Sequence, residues 1–126
     1  LKGDRAFSPM LRYGETKLAN ILFTRALAKR LAGSGVTANA LHPGVVATGF
    51  GADSRGVVRL FVRFARPFLL TPERGAETIV HLAASPEAGG VTGLYFAKGR
   101  EKSPRPPALD DSAAERLWAL SEALTA

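Results

Sequence analysis

A chain of 126 residues, 46% hydrophobic and 22% charged, has the composition of a globular protein and is long enough to bury a core. It has no cysteine, which excludes a disulfide framework and a thiolate metal site and suits a reducing compartment, so a cytoplasmic location is expected. The formal net charge of +6 favours acidic partners, but no basic run is interleaved with aromatics as a nucleic-acid platform requires, and no stretch of about 20 apolar residues offers a membrane span.

Residues 1–12 carry Gly3, Asp4, Ser8 and Pro9 without a sustained period, which predicts a loop. From 13 to 32 the apolar positions Leu18, Ile21, Leu22, Ala26, Leu27 and Leu31 recur at three and four, which predicts a helix that Gly33-Ser34-Gly35 stops. A short buried strand is expected at 36–41, so a helix followed by a strand favours a parallel sheet. Residues 56–70 read as a cationic amphipathic helix, with phenylalanines and leucines set against an arginine stripe of Arg55, Arg59, Arg63 and Arg66. Thr71 and Pro72 then open a helix whose buried face is predicted as Ala76, Ile79, Val80 and Ala83. A second strand at 91–97, a basic proline-rich loop at 98–107 and a helix at 112–124, started by the capping box Ser112-x-x-Glu115, complete the chain.

Two stretches carry chemistry. Tyr13 and Lys17 stand four apart on the first helix and share a face. A nearby cation favours the phenolate form, which would let a tyrosine exchange a proton with a substrate oxygen as general acid or base. Taken alone such a pair is usually a rim aromatic and a solvated charge. The other stretch is Pro43-Gly44-Val45-Val46-Ala47-Thr48, at the carboxyl end of the first strand, where open parallel sheets bind ligands. Gly44 permits close backbone approach, and main-chain amides with the Thr48 hydroxyl can bond a carboxamide. His42 is read as a strand-end side chain beside the site rather than a base, Ser8 as a loop hydroxyl, and no metal site is expected from His42 and His81.

Tyr13-x-x-x-Lys17-Leu18-Ala19-Asn20, then Leu41-His42-Pro43-Gly44-Val45-Val46-x-Thr48, then Thr71-Pro72-Glu73-x-Gly75-Ala76 and the tail from Leu109, together resemble the second half of the short-chain dehydrogenase/reductase family, most closely its retinol dehydrogenase-like branch. The resemblance implies an α/β fold: the C-terminal part of a doubly wound Rossmann-type parallel sheet, here two strands and four helices, incomplete alone. It implies that 1–126 form the C-terminal portion of one oxidoreductase domain, with a catalytic helix at 13–32, a cofactor loop at 43–48 and a substrate lid at about 50–70. It implies hydride transfer between a nicotinamide and a carbonyl or alcohol carbon, with Tyr13 moving the proton and Lys17 holding the nicotinamide ribose. Tyr13, Lys17, Pro43, Gly44, Val45, Val46 and Thr48 are then the expected cofactor contacts. The cofactor is NADP or NAD, and the branch leans toward NADP.

No Gly-x-x-x-Gly-x-Gly phosphate loop occurs, and neither Ser8 nor Asn20 stands where the family has its catalytic serine and asparagine. The chain also begins Leu1-Lys2-Gly3 without an initiator methionine, so the expected partner is a missing N-terminal half, and the fragment alone is expected to be inactive. Two other readings stand beside this one. The helix from Tyr13 is apolar on more than one side, which suits a homodimer or a non-catalytic assembly module. The arginine stripe suits a basic membrane-surface binder.

Overall fold

In the computed structural model the described residues are 8–44, 46 and 70–126. The expected lid lies outside them except for Leu70, as do Val45 and Thr48 of the expected cofactor loop. In chain order the elements are α1 (Pro9–Arg30), β1 (Ala40–His42), α2 (Pro72–Ala84), β2 (Tyr95–Ala97), β3 (Arg100–Glu101) and α3 (Asp111–Thr125), with 3-10 turns at Pro86–Ala88 and Pro106–Leu109. They divide into two units. One comprises the chain up to Ala40 with Gly90–Tyr95 and Lys102–Ala126, and the other Leu41–Gly89 with Phe96–Glu101.

In the first unit α1 begins a turn earlier than the sequence pattern predicts. Ser8 is its N-cap, its hydroxyl accepting from the Leu11 amide, and Pro9 takes the first position, where a missing N–H costs nothing. The helix closes with Lys29 and Arg30 in its last turn, where cations suit the dipole, and Gly33 follows at φ 80°. At the other end of the chain α3 is capped by Asp110, which accepts from the Ala113 amide at 2.9 Å. The predicted Ser112-Glu115 box does not form, because Asp110 takes the cap and Ser112 stands inside the first turn; Glu115 pairs instead with Arg30 of α1.

The two helices pack through Leu22, Ala26 and Ala114, with Leu18, Ala113, Leu117 and Trp118 around them. Small residues at the contact let the backbones approach. Leu22, 7% exposed, contributes about 2 kcal/mol by leaving water. Phe23 stacks on Trp118 with centroids 5.1 Å apart, and the Arg30 guanidinium covers the same indole at 4.2 Å. A row of ion pairs flanks the contact: Arg25 and Lys29 both reach Asp111, at 2.7 and 2.9 Å, and Arg30 meets Glu115 at 2.7 Å. Lys29 and then Arg25 hold the Asp111 carboxyl below the usual carboxylate range, and Arg30 does the same for Glu115.

The sheet has the order β1-β2-β3. β1 and β2 run the same way: Gly93 N–H donates to the Ala38 carbonyl at 2.7 Å, and Ala40 N–H to the Leu94 carbonyl at 2.9 Å. Both strands are shorter than predicted, since Val36 and Thr37 are exposed and 91–94 precede β2 without a ladder. Asn39 joins them instead, its amide donating to the Val91 carbonyl and accepting from the Leu94 N–H. β3 was not predicted. It pairs antiparallel with β2, Phe96 opposite Glu101 and Ala97 opposite Arg100, so the expected loop at 98–107 begins as a hairpin.

In the second unit α2 is capped by Thr71 with Pro72 in its first turn, as the sequence predicts. Its buried face differs from the predicted one. Gly75 and Thr78 are buried, whereas Ile79 and Val80 are 50% and 60% exposed and Ala83 is exposed. Gly75 is buried because the Val46 side chain rests on it: a Cβ there would stand 2.5 Å from Val46 Cγ2. Val46 also forms an isolated parallel bridge with Leu70.

Candidate functional site

α1 presents Tyr13 and Lys17 on one face, one turn apart, as the four-residue spacing requires. The Lys17 Nζ lies 5.2 Å from the centroid of the Tyr13 ring, a cation over a π face. Tyr13 is 56% exposed, so its hydroxyl is reachable from solvent. Beyond the contact between them, neither side chain makes an ion pair or a hydrogen bond among the described residues. Arg12 pairs instead with Glu15 at 2.7 Å, and the Thr16 hydroxyl turns back to donate to the Tyr13 carbonyl at 2.8 Å. A phenol and an ammonium on a helix fixed from its opposite face by α3 form a proton donor or acceptor beside a three-donor cation.

The second group of expected residues lies in the other unit, after the carboxyl end of β1. Pro43 is exposed and Gly44 is half-buried with φ 87°, a left-handed conformation that glycine adopts without a side-chain penalty. A Cβ on Gly44 would meet Leu70 Cδ1 at 2.5 Å, so this glycine is needed for close packing as well as for its φ. Val46 is set by Leu70 and Gly75 as described. His42 is exposed at the strand end. Val45 and Thr48 lie outside the described residues. The acidic residue nearby, Glu73 in the first turn of α2, has its carboxyl held below the ordinary range by its own amide and by the Thr71 hydroxyl.

Sequence reasoning missed three contributors to this arrangement. The charged rows that lock α1 to α3 were readable as complementary stripes, Arg25 and Lys29 at one helical repeat and Asp111 and Glu115 at the same repeat, but their separation along the chain hid the pairing. Asn39 reads in the sequence only as part of a strand. Thr78, 3% exposed, was passed over, although its hydroxyl accepts from the Gly99 N–H at 2.8 Å and ties α2 to the hairpin. No sequence signal marks a buried threonine of this kind within an amphipathic helix.

Residues 1–97 match a protein family described as enoyl-(acyl carrier protein) reductase. Human retinol dehydrogenase 14 is 43% identical over 127 residues, covering 98% of this chain and 38% of that protein. Human WW domain-containing oxidoreductase is 44% identical over 115 residues, covering 91% of this chain and 28% of that protein. Mouse retinol dehydrogenase 12 is 40% identical over 121 residues, with 96% and 38% covered. The chain thus spans less than two fifths of the length of these curated relatives.

Proposed function

The chain belongs to the short-chain dehydrogenase/reductase family, and from that premise we propose that it is the C-terminal part of a nicotinamide-dependent oxidoreductase in which Tyr13 is the proton donor or acceptor. The observation that carries this reading is the placement of Tyr13 and Lys17: side by side, solvent-accessible, and on the helix that has its own packed partner. The Tyr13 hydroxyl gives its proton to a developing alkoxide in reduction and takes it from an alcohol in oxidation. Lys17 makes no ion pair among the described residues, so its three N–H donors are available to ribose hydroxyls.

The loop after β1 fits the nicotinamide end of the dinucleotide. Pro43 and the left-handed Gly44 bring main-chain groups to the carboxyl edge of a parallel pair, and Val46 is fixed from behind. Val45 and Thr48 complete the proposed contact set. The nicotinamide, when bound, supplies or takes the hydride. The chain has no glycine-rich pyrophosphate loop, so a preceding segment must provide it. In this reading the cofactor is NADP rather than NAD, and the substrate is a lipophilic carbonyl or alcohol, the latter in keeping with relatives named retinol dehydrogenases.

A second reading has its own observation. Met10, Leu11 and Phe23 of α1 are 79%, 51% and 41% exposed, and Met10 and Leu11 line a shallow groove with Ser8, Gly14, Glu15 and Leu18. The groove at Met10 and Leu11 suits assembly through α1, either with a second copy or with other parts of a longer chain. The readings part in a nicotinamide-coupled assay. An oxidoreductase turns over a lipophilic aldehyde when the full-length protein is used and shows no turnover from these 126 residues. A full-length protein that assembles but has no nicotinamide-dependent turnover supports assembly alone.

A further inference from the structure

β2 and β3 are joined by two residues, Lys98 and Gly99, both at positive φ, 57° and 72°. Two left-handed residues in a two-residue hairpin loop make a type I′ turn, whose first position favours asparagine, aspartate or glycine because a larger side chain crowds the backbone there. Lys98 is the one non-glycine at positive φ among the described residues. A lysine held where the backbone prefers asparagine is an outlier from which function can be argued.

The turn is also pinned. Gly99 N–H donates to the buried Thr78 hydroxyl of α2 at 2.8 Å, one helical turn from Gly75, which seats Val46. One face of α2 therefore positions both the loop that follows β1 and the turn that follows β2. The two lie at the same edge of the sheet. Both follow the carboxyl ends of neighbouring parallel strands, β1 ending at His42 and β2 at Ala97. Neighbouring strands run about 5 Å apart. Lys98 and Arg100 are exposed there, and among the described residues no ion pair engages either, Glu101 included.

We infer that Lys98, supported by Arg100 and positioned by Thr78, is a ligand-binding residue that contacts an anionic group, a phosphate or a carboxylate, of a molecule seated at Pro43 and Gly44 beyond the end of β1. This rests on the reading of that loop as a ligand site. The anionic group belongs either to the nucleotide or to the substrate, and a charge-assisted contact of this kind fixes orientation at the sheet edge.

The test is made on the full-length protein with Lys98→Asn, a residue that suits the turn, and with the Lys98→Asn/Arg100→Gln double variant. Urea midpoints are expected to stay level or rise. The dissociation constant for NADP, or the KM for an aldehyde ending in a carboxylate relative to a neutral aldehyde of equal length, is expected to rise about tenfold, which identifies the source of the anion. Thr78→Val should weaken the same ligand and Thr78→Ser restore it. Folded variants with NADP affinity and the aldehyde preference both unchanged overturn the inference while leaving the oxidoreductase reading intact. A wild-type protein that neither binds nicotinamide nucleotide nor turns over either aldehyde overturns the reading itself, and the inference with it.

Discussion

The two units of the molecule bury their helices in opposite ways. α1 is closed on one side by α3, through a core of leucines and alanines, an aromatic stack and three ion pairs. α2 buries a glycine and a threonine while Ile79 and Val80 face outward. The difference shows where positional accuracy comes from. Tyr13 and Lys17 stand on a helix whose placement is set by apolar burial, the largest favourable force available. Gly44 and Val46 are set by close fit at two glycines, and the turn at Lys98 by one buried hydroxyl, contacts that specify geometry but supply little free energy.

The comparison breaks most easily at Trp118. Trp118→Ala removes the stack on Phe23 and part of the α1–α3 core, and should cost about 2–4 kcal/mol in urea unfolding of the chain. A loss below about 1 kcal/mol would mean that the first unit is not held by this contact.

Gly75→Ala probes the second unit. The new Cβ meets Val46, an overpacking that costs about 1–3 kcal/mol, against a helix-propensity gain of about 0.5–1 kcal/mol. Overpacking should win, and the amide resonance of Val46 should shift. A stabilised variant with that resonance unmoved would show that the fit at Gly75 is loose.

Acid sharpens the contrast further. Asp111 and Glu115 have folded-state values held below the unfolded ones, so their contribution is complete above the ordinary carboxylate range and is lost as pH falls through the folded-state values. Thermal stability should be level down to about pH 5 and fall below about pH 4. The Asp111→Asn/Glu115→Gln double variant should lose most of that slope. Glu73, shifted in the same direction at the start of α2, should leave a small remainder.

The smallest effect is expected at Ile79→Ser in the chain itself, within about 0.5 kcal/mol, because the side chain is half in water already. In the full-length protein the same change should cost more, if the outward face of α2 is covered there. Equal effects in both proteins would mean that this face is solvent-exposed throughout.

How far the sequence anticipated this structure depends on the range of the interaction involved. Helix identity was legible in α1, α2 and α3, because the three-four period and the local breakers act within a turn. The start of α1 at Ser8 and Pro9 was also written locally but was overridden by the loop-like composition before it. β3 was hidden because Lys98-Gly99 is an unusual type I′ pair. The buried face of α2 was misjudged because apolar periodicity marks what a helix can bury, and not what this chain brings to cover it. The proximity of Tyr13 and Lys17 was legible from their spacing, whereas Thr78 depends on a contact 21 residues away that no local pattern records.

The central claim is that Tyr13 moves the proton, and its most direct measurement is turnover by Tyr13→Phe in the full-length protein, with nicotinamide binding followed alongside. The account predicts a fall in kcat of about 10²- to 10⁴-fold with nucleotide affinity retained. Turnover within about threefold of wild type, at equal nucleotide affinity, would contradict it.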